Sequence, residues 1–239
     1  MIARAVALLA LGFVLPGSVL LHQYAQRRSE ALPADLKVSG TLSVWGDDVR
    51  SFAQRAALPL VGEAQDHLEL PVRLTLAPQR CVLELGSADH PLGQLANDGG
   101  RLQGADPAQA SGLAGDVALV TDGCVPFLSR GAGGESVLEG FLQDHGGDPR
   151  EVTLSRFDGN VAYAIGGPAS GAGKVAFVIA LDSLKPLRLL VRDTRLGIGL
   201  IDVHFGEYRP VGYPGLPGVI TVTRDGTPLA TLEVQPPAR

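Results

Sequence analysis

Sulfur and aromatic side chains are scarce in this chain: two cysteines, one methionine, one tryptophan and 5% aromatic residues overall. No C-x-x-C pair occurs, which removes thioredoxin-like redox chemistry and the common zinc-ribbon spacing. Charge is sparse as well, at 19% of residues with a formal net charge of −5. No basic stripe interleaved with aromatics is present, so nucleic acid is not expected as a partner. No G-x-S-x-G elbow appears. The histidines His22, His67, His90, His145 and His204 share no metal-ligand spacing and form no triad-like motif with a nearby carboxylate and hydroxyl. The chain therefore reads as non-catalytic, with no cofactor and no metal.

Glycine and proline, in contrast, are plentiful, at 31 and 17 residues. That composition suits many short strands joined by turns. From Val152 to Tyr208 apolar residues recur at every second position: Val161, Tyr163, Ile165; Val175, Phe177, Ile179, Leu181; Leu187, Leu189, Val191; Ile201, Val203, Phe205. A period of two puts each set on one face of a strand. The breaks at Asp158-Gly159-Asn160, at 166–173 and at Asp182–Pro186 are turn chemistry, too short for crossover helices. An antiparallel meander with one apolar face is predicted.

Ahead of it, Arg4 and the uncharged run Ala5–Leu15 have the form of an export signal, since a membrane span needs about 20 apolar residues. No Leu-x-x-Cys lipobox follows. Cleavage at Gly17 or Ser18 is one reading; an uncleaved anchor over Ala5–Leu21 and a buried helix are the alternatives. In an exported chain the pair Cys81 and Cys124 reads as one disulfide, or else as two buried thiols. A bond between them would close a loop of about 43 residues and add roughly 3–4 kcal/mol.

Residues 19–32 show helical spacing through Leu20, Tyr24 and Ala31, and Pro33 ends the pattern. Leu36–Trp45 alternates cleanly as a strand. Residues 46–68, with Asp47-Asp48 as a turn or helix cap, fit either a helix or an extended hairpin. Glu69–Leu76 and Cys81–Leu85 alternate again, and His90–Gly112 reads as a polar, mobile loop. Gly115–Ser129, broken at Pro126, and Glu135–His145 are helical. Val219–Thr223 and Leu229–Val234 flank an Asp225-Gly226 hairpin turn. The sum is nine to eleven strands and about three helices: a mainly β, α+β architecture with helices packed on one side of an antiparallel sheet.

Two chemical decoys stand out. Gly167–Lys174 (GPASGAGK) imitates a phosphate loop, but Pro168 replaces the required glycine, Val175 replaces the hydroxyl, and a strand follows instead of a helix. Asp202 and His204 alternate on one strand and project to the same side, a weak two-residue site against a solvated sheet face.

The order of features resembles the outer-membrane lipoprotein carriers of the Lol type (LolA/LolB-like). The resemblance rests on an exported chain, the helix at 19–32, the strand at 36–45, and Pro78-Gln79-Arg80 leading into CVLEL. It continues in FDGNVAYAIGG and in a strand ending at Asp182, with Pro186 and Arg188 opening the next. It implies a curved antiparallel sheet forming an unclosed β-barrel, with about three helices in or over the opening. The expected division is a signal peptide or anchor at 1–18, one half-barrel domain at 19–234 and a frayed tail at 235–239. The implied function is a monomeric periplasmic carrier of lipid or acylated lipoprotein, with an envelope protein as a further possible partner. Its expected apolar lining is Leu42, Val44, Trp45, Leu74, Leu83, Tyr163, Ile165, Phe177, Ile179 and Leu189, with the helices around Phe127 and Phe141 as lid. A non-catalytic structural or interaction domain of the cell envelope is the alternative.

Overall fold

The computed structural model describes residues 15–46, 49–50, 53–54, 58–62, 66–103, 113–168, 174–193, 199–208 and 214–235. Helix α1 (Gly17–Ala31) leads into β1 (Leu36–Trp45), β2 (His67–Ala77), β3 (Arg80–Gly86), β4 (Pro91–Asp98) and β5 (Arg101–Gln103). A helical segment follows: α2 (Leu113–Gly123), α3 (Val125–Leu128) and α4 (Gly134–Asp144). The second strand run is β6 (Asp148–Phe157), β7 (Asn160–Gly166), β8 (Ala176–Ala180), β9 (Pro186–Asp193), β10 (Gly199–Gly206), β11 (Val219–Arg224) and β12 (Thr227–Val234).

All twelve strands form one sheet in the order β5-β4-β3-β2-β1-β12-β11-β10-β9-β8-β7-β6. Each run is a meander of hairpins, and β1 joins the two by pairing antiparallel to β12 on one side and β2 on the other. Strands β5 and β6 are the two ends of this order, so the sheet does not close. The helical segment is the chain that connects those ends.

Alternation sets the inner face. Leu36, Val38, Leu42 and Val44 of β1 lie opposite Leu76, Leu74, Leu70 and Leu68 of β2, and all are buried. The same face continues through Ile220, Val203, Leu189, Phe177 and Ile165 to β7 in one apolar cluster, which the helices complete with Leu20, Leu119, Phe127, Leu138 and Phe141. The predicted meander is thus present as β6–β10, beginning at Asp148.

Several expectations change. Four helices and twelve strands occur among the described residues, because Pro126 in the first turn of α3 splits the 115–129 helix and because 90–112 is not all loop. Strands β4 and β5 form a hairpin across Gly99-Gly100, whose φ values of 57° and 88° suit a two-residue turn with both centres left-handed. Residues 49–50 and 53–54 are helical, with Val49 and Ala53 buried, which favours the helical option for that stretch. Asp47-Asp48, residues 1–14 and most of the glycine loop before Lys174 lie outside the described residues.

Helix α1 begins two residues earlier than its apolar spacing suggests. Its N-cap is Pro16, and Gly17 is buried against β6, where a Cβ would come within 1.7 Å of the Pro149 carbonyl oxygen. Only glycine allows this approach. Gly17→Ala should therefore force α1 off β6 and destabilise the fold by about 1–3 kcal/mol, read as a lower midpoint in urea or thermal denaturation.

Candidate functional site

The site expected from sequence is the inner face, and the structure brings its members together with one exception. Leu42, Val44, Leu74, Leu83, Ile165, Phe177, Ile179 and Leu189 all join the inner cluster, as do Phe127 and Phe141 from the helices, with Tyr163 partly buried at its margin. Trp45 lies on the opposite face: β1 alternates, the buried residues are even-numbered, and Trp45 is odd. Its indole stacks on His67 with ring centroids 5.1 Å apart. Leu187 also leaves the inner set, because the register shifts between Val178 and Ile179 and Leu187 packs instead with Phe157 on the small outer cluster of Ala162, Ala164 and Val178.

The helices fill the concave side as a plug. Tyr24 of α1 is wholly buried; its hydroxyl donates to the Pro126 carbonyl (2.7 Å) and its ring meets Phe177 edge-on at 5.1 Å. Burial raises the Tyr24 hydroxyl far above its ordinary pKa against the opposing charge of Arg28, so it remains a neutral donor. Phe127 meets Phe205 edge-on at 5.5 Å.

Two arginines that no spacing rule marks are buried at the plug margin. Arg28 donates to the Gly215 carbonyl (2.9 Å). Arg130 donates to the carbonyls of Pro33 (2.7 Å), Ala34 (2.9 Å) and Leu76 (2.7 Å), tying the α3–α4 connection to the end of β2. Burial lowers the Arg130 pKa, with Asp35 opposing. The Nε atoms of both arginines are buried without a protein partner.

At the β6–β8 end, apolar side chains come to the surface. Leu154 pairs with Tyr163 across β6 and β7, and the Leu181 amide donates to the Val161 carbonyl. Leu154, Val161 and Leu181 are 49%, 44% and 40% exposed. Their register puts them on the inner side of the sheet, so the apolar face runs out past the plug and ends in solvent. Leu154 was not among the expected lining residues; the alternation of β6 marks it only once the face is known.

Asp202 and His204 do project together, on the outer face. Arg188 donates to Asp202 through Nε (2.8 Å) and a terminal nitrogen (2.5 Å), and His204 Nε2 lies 3.1 Å from the same carboxylate. Phe157 flanks both, 5.3 Å from the imidazole and from the guanidinium carbon. Burial alone would raise the Asp202 pKa, but the hydrogen bonds and charges of Arg188 and His204 outweigh it and hold the carboxyl below its usual range. Thr223 and Thr221 of β11 lie opposite Asp202 and His204, and no group of three metal-ligating side chains occurs among the described residues. Lys174 pairs with Glu151 at 3.7 Å beside β6, so the glycine-rich loop delivers its lysine to a carboxylate. Cys81 and Cys124 are free thiols, both buried.

No protein-family model matches this chain. No curated protein matches it either. Among solved structures, a LolA superfamily protein from Nitrosomonas europaea superposes with a TM-score of 0.50 at 10% identity, covering 93% of this chain and 92% of that one. A putative outer membrane lipoprotein-sorting protein domain from Vibrio parahaemolyticus gives a TM-score of 0.41 at 12% identity, covering 92% and 90%. The first likeness identifies the fold as LolA-like.

A depressed carboxyl pKa stabilises the fold above the unfolded value and loses that contribution as pH falls through the folded one. Asp202→Asn should thus cost about 1–3 kcal/mol near pH 7, and progressively less below about pH 4. Thermal denaturation of both proteins across that range measures the difference.

Proposed function

We propose that this chain is an exported, non-catalytic carrier that holds the acyl chains of a lipid or lipoprotein against the inner face of its half-barrel, in the manner of lipoprotein sorting. The observation that carries the reading is the apolar face itself: it is continuous beneath the plug and emerges at Leu154, Val161 and Leu181. A sheet face used only for its own core has no reason to extend past the helices that cover it. An acyl chain of about a dozen methylenes yields on the order of 10 kcal/mol on burial, against which stands the cost of moving helices from the sheet.

The proposed lining keeps Leu42, Val44, Leu74, Leu83, Tyr163, Ile165, Phe177, Ile179 and Leu189, with Phe127 and Phe141 contributed by the helices that cover it. Trp45 is left out because it faces away. The segment upstream of Gly17 serves export to the periplasm. The burial of Gly17 favours a boundary before that residue over cleavage at Gly17 or Ser18. No described helix is long and apolar enough to cross a membrane. N-terminal sequencing of the exported protein reads the boundary directly.

A second reading, an envelope interaction domain, is favoured by the filled interior and by β6, a ten-residue strand at the end of the sheet. Such an edge can add a partner strand. The two readings separate in one experiment. Lipid extracted from the purified protein is identified by mass spectrometry, and binding of a fluorescent fatty acid is titrated. The carrier reading expects co-purified lipid and a Leu154→Glu variant that binds the probe about tenfold or more weakly while unfolding at the parent temperature. Protein free of lipid and without affinity for the probe leaves the interaction domain.

A further inference from the structure

The buried thiols sit where the plug meets the sheet. Cys81 belongs to β3, opposite Leu76 of β2 and Asn97 of β4, and points to the inner face. Cys124 is the hinge residue between α2 and α3, with its amide donating to the Thr121 carbonyl (3.1 Å) and its thiol 3.5 Å from the Val120 carbonyl. Both side chains are 0% exposed, and the two helices that flank Cys124 both pack on β3, the strand of Cys81. Burial first, and then the neighbouring Cys124 and Asp122, raise Cys81 well above the usual thiol range. A seated plug therefore leaves this thiol protonated and shielded from reagents.

The sheet strands that each helix covers differ across the plug. Helices α2 and α3 pack on the half of the sheet built from β1–β5, β11 and β12. Helix α4 packs on α1, and both rest on β6, while α4 also meets α3 and Tyr24 of α1 donates to Pro126 of α3. The exposed apolar rim of Leu154, Val161 and Leu181 is on the β6–β8 side, next to the second half. Asn97 of β4 reinforces the first half by donating to Asp122 of α2 (3.3 Å) in a buried contact.

We propose that Cys81 and Cys124 form a disulfide that fastens the α2–α3 hinge to β3, making that half of the plug a fixed floor and leaving α1 and α4 as the part that yields to an apolar ligand. The second half of this statement rests on the carrier reading above; the first does not. The bond forms by exchange with a disulfide-bearing oxidant, while the plug is unseated during folding or opening. One cysteine thiolate attacks the oxidant and releases a thiol, and the second cysteine thiolate displaces the other. The net change is two S–H bonds lost, one S–S bond gained, and the oxidant's disulfide reduced to two thiols.

The test refolds the full chain from denaturant in the presence of oxidised glutathione, so that the plug seats in the oxidant, then unfolds and alkylates it, with alkylated cysteines counted by mass. The expected result is no alkylation and a mass lower by two hydrogens. Reduction should lower the melting temperature by about 5–10 °C. A fluorescent fatty acid should bind the oxidised and reduced proteins with Kd values equal within about threefold. Two alkylated cysteines after oxidation overturn the disulfide. A disulfide with probe binding only after reduction overturns the fixed floor and leaves the carrier reading standing. A disulfide with no binding in either state defeats the carrier reading and the division that rests on it, while the thiol count still supports the bond.

Discussion

The pairing of β1 with β12 is the constraint on which the architecture depends. It joins the first strand of one meander to the last strand of the other, and without it the inner face is two separate surfaces. Its register sets Leu42 against Leu232 and Val44 against Ala230, so the apolar sides of both meanders turn the same way. The ladder is extended past the strand end by the Gln235 amide donating to the Ser39 carbonyl. A one-residue slip would turn the face of one meander to solvent while the other stayed inside. Contacts so distant in sequence carry a loop-closure cost that the local hairpins on either side do not.

The plug on that face is held in two ways. Its centre is apolar, through Leu20, Phe127, Leu138 and Phe141, and apolar contact is non-directional. Its position comes from a few hydrogen bonds at the margins: Tyr24 to Pro126, Arg28 to Gly215, and Arg130 to three carbonyls. Each arginine keeps one buried Nε without a protein partner, at a cost of about 1–3 kcal/mol for such a group. A plug designed only for stability would carry apolar side chains there. Arginines that clasp main-chain carbonyls instead specify one seated position.

Much of this was legible from the chain and some was not, for reasons that differ by element. Strands β1 and β2 announce themselves because their buried and outward residues alternate, with Gly40 and Trp45 the departures in β1. The hairpins at Asp158-Gly159 and Asp225-Gly226 do so because their turn residues take positive φ. Strand β4 is hidden because PLGQLAND carries Gly93 and Asn97 at the inward positions where an apolar repeat would be, and Asn97 is buried through a polar contact. The Gly99-Gly100 turn was the only available sign. Trp45 misled because size and aromaticity suggest lining, whereas parity along β1 rules it out. Leu187 misled because a register shift reverses parity within a strand, and no composition rule reports that. Arg28 and Arg130 were invisible because arginine is ordinarily exposed, and their carbonyl partners come from other parts of the fold.

The two faces of the late meander now separate by chemistry. Outside, Arg188, Asp202, His204 and Phe157 form a self-satisfied polar and aromatic cluster, each ionised group answered by another. Inside, Leu154, Val161 and Leu181 have no apolar partner at their outer ends. Water contact with that rim is unfavourable by roughly 25 cal/mol per Å² of apolar surface. Helix α4 ends at Asp144 and turns through Gly146, with a left-handed φ of 85°, into β6. A protein whose inner face served only as core would gain by covering it. In the carrier reading proposed above, this open rim is where an apolar occupant would first touch the sheet.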